Sequence, residues 1–117
     1  MIHFLIVTLG CRDLVELAIA SIDRYAGECQ LDIVDLPNET TDPRAHGQAI
    51  NFWRQRQKLG IRNTDLVCIM DPDCVILSEW WRREVDQVFS GENLGNVGIW
   101  GAGSNADWGP RVHASMM

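Results

Sequence analysis

Basic residues are scarce in this chain: ten Lys and Arg stand against sixteen Asp and Glu, a formal net charge of −6. A surface that holds a polyanion needs the opposite balance, which argues against nucleic acid as a partner. Long apolar runs are missing too. No stretch reaches the ~20 residues of a membrane-spanning helix. The apolar opening from Met1 to Val7 is too short for a signal peptide and lacks its basic leader. The four cysteines, Cys11, Cys29, Cys68 and Cys74, show no C-x-x-C spacing. They read as small core residues in a reducing compartment rather than as a zinc set or a disulfide framework. Neither an internal repeat nor a low-complexity tract is found. These absences set the expectation of a cytoplasmic protein with no membrane span. Its 117 residues are enough for one domain and not for two, and a chain of that size can bury roughly two-thirds of its unfolded surface.

What is present alternates. Ile2 to Thr8 is almost uniformly apolar and predicts a strand in the middle of a sheet covered on both faces. Arg12 to Tyr25 carries Leu14, Leu17, Ala18 and Ile22 at helical spacing, with Gly27 as a stop. Leu31 to Leu36 predicts a second strand that ends near Asp35. After the polar loop Pro37–Pro43, Thr41 or Asp42 is placed to cap a helix with Pro43 as its first residue. Ala45, Ala49, Phe52 and Trp53 form the apolar face of that helix. A third strand begins near Leu66, and a helix capped by Ser78 follows from Glu79 to about Phe89. Asn96 to Gly101 predicts a fourth strand, and Val112 to Met117 turns apolar again. The order βαβαβαβ predicts a three-layer α/β/α fold around a mostly parallel, Rossmann-like sheet. In such sheets ligands collect at the carboxyl ends of the strands.

The chemistry concentrates in Leu66-Val67-Cys68-Ile69-Met70-Asp71-Pro72-Asp73-Cys74-Val75-Ile76-Leu77. An apolar strand climbs to two carboxylates spaced i and i+2, and Pro72 stops the ladder because it has no N–H. Two acids emerging together repel unless a cation or proton lies between them. A hard divalent cation such as Mn²⁺ or Mg²⁺ prefers these oxygens together with substrate phosphates. Asp-Pro-Asp is equally good turn chemistry with no ligand at all. With the first strand central, Thr8, Asp35, Asp71 and Asp73 are expected to share one edge of the sheet.

Four segments together carry a family likeness: FLIVTLGCRDLVELAIASI, DIVDLPNETTD, HGQAIN and VCIMDPDCVIL. With them the chain resembles the nucleotide-binding half of a GT-A fold glycosyltransferase, nearest to the inverting family 2 enzymes. The likeness covers residues 2 to 100. It implies that Thr8, Arg12, Asp35 and Asp71 hold the nucleotide of a UDP- or GDP-sugar, and that Asp71 and Asp73 hold the metal, with Asp73 the closer ligand. His46 and Trp108 become the candidates for contact with the sugar or its phosphates. For His46 a capping or surface role is the plain alternative, and for Trp108 a half-buried aromatic. A complete enzyme of this kind continues past the D-x-D into strands that build the acceptor site and supply a general base. The stretch after Asp73 is short for that, so the likeness implies an N-terminal portion only, truncated at the C-terminus. Asp107 is the weak candidate left for the base.

Two other readings compete. The string Asp71-Pro72-Asp73-Cys74-Val75-Ile76 also resembles the signature of haloacid-dehalogenase-type phosphatases, in which the first acid is a nucleophile and the second a general acid/base. That signature belongs on a first strand and needs a later Lys, and none follows Lys58 here. The third reading is a non-catalytic binding module completed by a partner, with a homodimer through the C-terminal strand as its simplest form.

Overall fold

The computed structural model describes residues 1–10, 12–57, 60–62, 64–90, 99–100 and 114–115. Their contacts divide into two compact units, Met1–Ser78 and Glu79–Met117.

The first unit is built on β1 (Ile2–Thr8), with all seven residues buried. It lies between β2 (Cys29–Asp35) and β3 (Leu66–Met70) in a parallel sheet of order β2-β1-β3. The register is continuous. Thr8 sits beside Asp35, and Ile6 sits beside Met70. A strand paired on both edges and covered on both faces has no position for a polar side chain, which is why the run IHFLIVT holds so few. Its one charged-type residue, His3, is 4% exposed. His3 Nε2–H donates to Asp65 Oδ2 at 2.9 Å, so the buried polar atom is satisfied. Asp65 also accepts from the Arg62 N–H at 3.1 Å and lies 3.7 Å from the Met1 ammonium. The His3 bond, followed by the Arg62 N–H, holds its carboxyl below the ordinary value.

Alternation along β1 sends neighbouring side chains to opposite faces. Leu5 and Val7 meet Ala49 and Trp53 of α2 (Ala45–Arg56), with Val34, Leu36, Ile50 and Ile61 around them. Trp53 Nε1–H donates to Asp32 Oδ2 at 2.7 Å, tying α2 to β2. The opposite face is covered by α1 (Arg12–Tyr25), which buries Val15, Ala18 and Ile22. This helix ends as the sequence predicts, on Gly27 at φ +75°, a left-handed position that glycine takes without steric cost. The α/β, Rossmann-like class is therefore present, in a sheet of three strands.

Local details depart from the sequence-based expectation. The helix after the polar loop begins at Ala45 instead of Pro43, with Arg44 as its N-cap. Asp42 accepts the Arg44 N–H at 2.9 Å and both are fixed in a turn, so the helical bonds start later. Cys74 to Leu77 is irregular. Ile76 is buried, and its N–H donates to Ser21 Oγ on α1 at 3.0 Å. Val75 and Leu77 on either side are exposed. On β3, Val67 and Ile69 are 46% and 49% exposed. They share a face with His3 and Leu5, but α2 covers β1 and β2 instead.

In the second unit, α3 (Trp80–Val88) buries Val85, with Trp81 and Val88 half-buried. Arg83 lies 4.9 Å from the ring centre of the exposed Trp80. The expected fourth strand is present as β4 (Ile99–Trp100), but it pairs antiparallel with β5 (Ala114–Ser115) in a separate two-stranded ladder. Among the described residues no helix is long and apolar enough to cross a membrane.

Candidate functional site

Three strand ends converge at one rim. β1 ends on Thr8 and β2 on Asp35, directly beside it. β3 ends on Met70, so Asp71 leaves the sheet at the same edge. The strand stops there for the reason its sequence gives: Pro72 cannot donate to a ladder. The chain then turns tightly, with Cys74 N–H donating to Asp71 O at 3.1 Å.

That turn brings three potential metal donors together. One ligand atom from each of Asp71, Asp73 and Cys74 lies within 4.8 Å of the others, and all three residues are exposed. Cys74 Sγ is 4.0 Å from Asp73 Oδ1. Partial burial, then Asp71, then Asp73 raise the Cys74 thiol above its ordinary value, because a thiolate beside two carboxylates is disfavoured. Among the described residues no Lys, Arg or His forms an ion pair with Asp71 or Asp73. Cys68, on β3, is half-buried, and burial pushes its thiol up to about 11. It is a packing residue and not a nucleophile at neutral pH.

The first two strands contribute differently from expectation. Thr8 is 2% exposed and its carbonyl accepts the Leu36 N–H at 2.8 Å. What it offers the rim is backbone. Asp35 is exposed and accepts the Gly10 N–H at 3.4 Å. Gly10 has φ +72°, and a Cβ placed there would overlap the Asn38 side chain, 2.7 Å from its Cγ. The loops after β1 and β2 are thus fitted to each other at a glycine. Asn38 is the rim residue that sequence reasoning missed. A Gly two residues beyond a strand end was the available signal, but nothing in the sequence says which side chain fills the space beside it.

His46 is exposed in the first turn of α2. Next to it Gly47 has nothing within 4 Å of a built Cβ. Arg12 begins α1, but its side chain lies outside the described residues, as do Asp107 and Trp108. The structure therefore unites Thr8, Asp35, Asp71 and Asp73 at one edge.

This rim can do one thing without rearrangement. Paired, solvent-facing oxygens at a strand end accept a hard divalent cation while most of its coordination stays with water or phosphate. Comparison with family models, with curated proteins and with solved structures finds no match to this chain.

Proposed function

We propose that this chain binds a metal–nucleotide-sugar complex as a glycosyltransferase-type domain, of the inverting kind by its resemblance. The observation that carries the reading is the placement of Asp71 and Asp73. They are exposed and outside any ion pair among the described residues, and they leave the sheet at the rim where Asp35 faces Gly10.

In this reading Asp35 and the Gly10 turn face the nucleoside, while Asp71 and Asp73 face the diphosphate. Charge grows on the diphosphate when the bond to the anomeric carbon breaks. A bound Mn²⁺ or Mg²⁺ supplies Lewis-acid stabilisation of that charge. Asp71 and Asp73 would hold the cation beside the diphosphate. Transfer also needs a base for the acceptor hydroxyl, so the activity assigned to this chain is binding first.

The test is calorimetric. UDP and GDP are titrated with and without Mn²⁺ into wild type, Asp71→Asn and Asp73→Asn. Metal-dependent binding of one nucleotide, lost in both variants, is expected. Binding indifferent to the metal, or absent for both nucleotides, would falsify the reading. Hydrolysis of p-nitrophenyl phosphate that disappears in Asp71→Asn would favour the phosphatase alternative instead.

A further inference from the structure

β3 stands at an edge of its sheet but has the composition of an interior strand. Leu66–Met70 (LVCIM) contains no charged residue and no proline, a run that suits a strand with neighbours on both sides. Outer strands are ordinarily blunted by charge, proline or a bulge. β2, at the other edge, carries Gln30 and Asp32 among its apolar residues, as an outer strand does. Among the described residues β3 pairs with β1 alone, and its Val67 and Ile69 are exposed. The short strands β4 and β5 are paired with each other.

The hydrogen bonding fixes which backbone groups point away from β1. The Leu66 N–H donates to Met1 O at 3.0 Å, so Leu66, Cys68 and Met70 turn their N–H and C=O toward β1. By alternation Val67 and Ile69 turn theirs outward. With an identical strand, the antiparallel register centred on Cys68 satisfies every one of these outward groups. In it Val67 exchanges bonds with Ile69 of the second copy, and Ile69 with Val67 of the second copy. Cys68 meets Cys68 of the second copy, and burial pushes that thiol up to about 11, so no charge faces its like. On the exposed face the Val67 and Ile69 side chains of the two copies cover one another.

The same rule excludes the opposite edge. The Leu36 N–H donates to Thr8 O at 2.8 Å, so Cys29, Leu31, Ile33 and Asp35 point their backbone groups outward from β2. Satisfying them all with a copy centres the pair on Asp32. Two carboxylates then lie directly opposite, which is destabilising. A two-fold contact demands a patch that tolerates itself, and of the two edges β3 alone meets that demand.

We propose that this chain dimerises through β3, which pairs antiparallel with β3 of a second copy about a two-fold axis at Cys68 and joins the two sheets into one. The contact is small beside the ~1,200–2,000 Å² of a standard interface, so the dimer is concentration-dependent. It does not rest on the nucleotide-sugar reading, because Thr8, Asp35, Asp71 and Asp73 take no part in it.

The test is sedimentation equilibrium of the full chain as wild type, as Val67→Lys/Ile69→Lys and as Val67→Glu/Ile69→Glu. Wild type should pass from monomer to dimer as concentration rises and go no further. Each variant alone sets like charges opposite one another and should weaken the dimer about tenfold or more. An equimolar mixture of the two sets Lys against Glu and should recover a heterodimer. If either variant misfolds by circular dichroism, amide hydrogen exchange of wild type decides. Exchange at Val67 and Ile69 should slow with concentration, while Leu66, Cys68 and Met70, already bonded to β1, should not change. The proposal is overturned if wild type stays monomeric up to roughly 1 mM or assembles past two copies. It is equally overturned if the charged variants dimerise as wild type does, if their mixture stays monomeric, or if exchange at Val67 and Ile69 ignores concentration.

Discussion

Replacing Gly10 with Ala perturbs the rim at its tightest point. Two penalties add. The first is backbone: at φ +72° a residue with a Cβ pays about 1–2 kcal/mol for the left-handed conformation. The second is steric, because the new methyl overlaps the end of Asn38. Asn38 is exposed, so its side chain swings aside, at a cost of about 0.5–1.5 kcal/mol for an off-rotamer pose. Gly10→Ala should therefore destabilise by about 1.5–3.5 kcal/mol, read as a lower urea midpoint at unchanged m. The two parts separate in a double-mutant cycle. With Asn38→Ala as background only the backbone part remains, leaving a coupling of about 0.5–1.5 kcal/mol. A Gly10→Ala protein within about 0.5 kcal/mol of wild type, or one whose loss is the same with and without Asn38, would refute the fitted-loop account.

Other outcomes follow from single contacts. Gly47, helical with open space around it, should gain about 0.5–1 kcal/mol on replacement by Ala, measured by the same denaturation. Trp53→Phe keeps much of the packing but drops the bond to Asp32, a loss of about 0.5–1.5 kcal/mol; Trp53→Ala should cost about 3–5 kcal/mol. Asp65 has its folded pKa depressed, by His3 first and then by the Arg62 N–H. Its contribution is full above the unfolded value of about 3.9 and is lost as pH falls through the lower folded value. Asp65→Asn should thus trail wild type clearly at pH 6, with the gap narrowing on acidification in urea melts; a gap constant with pH would contradict the His3 pairing. Cys68, pushed up to about 11 by burial, should react with iodoacetamide about tenfold faster per pH unit well past the range where a free thiol levels off.

The parts of the fold written most plainly in the sequence are those fixed by exclusion of water. The unbroken apolar run of β1 implied a central, doubly covered strand, and the structure buries every residue of it. Of the stripe Leu14, Leu17, Ala18 and Ile22 on α1, Ala18 and Ile22 are buried together with Val15, whereas Leu14 and Leu17 face outward, because the helix is rotated so that Val15 meets the sheet. Asp-Pro-Asp at a strand end was equally legible, because proline's missing donor sets where pairing stops. What hydropathy does not encode is the partner. Ile99 and Trp100 look like a further strand of the parallel sheet, but they pair antiparallel with Ala114 and Ser115, since an apolar segment carries no label for the edge it joins. Of the second apolar run, Val75–Leu77, only Ile76 is drawn inward, held by Ser21. At the rim, Asp35 was legible as an acid at a strand end. Its bond to the Gly10 N–H and the fit of Asn38 against Gly10 were not, because both depend on how two loops meet.

The place of β1 also bears on how the chain comes together. Both neighbours in its sheet depend on it, and the second arrives late: Ile2 waits for Leu66 while two helices and a strand are synthesised between them. Until then one hydrophobic ribbon stays paired on a single edge, so assembly of the sheet is slow for its size and exposed to capture by other nascent chains. Lower temperature during expression, or a chaperone that shields that edge, should raise the soluble yield of this protein more than any substitution at its surface.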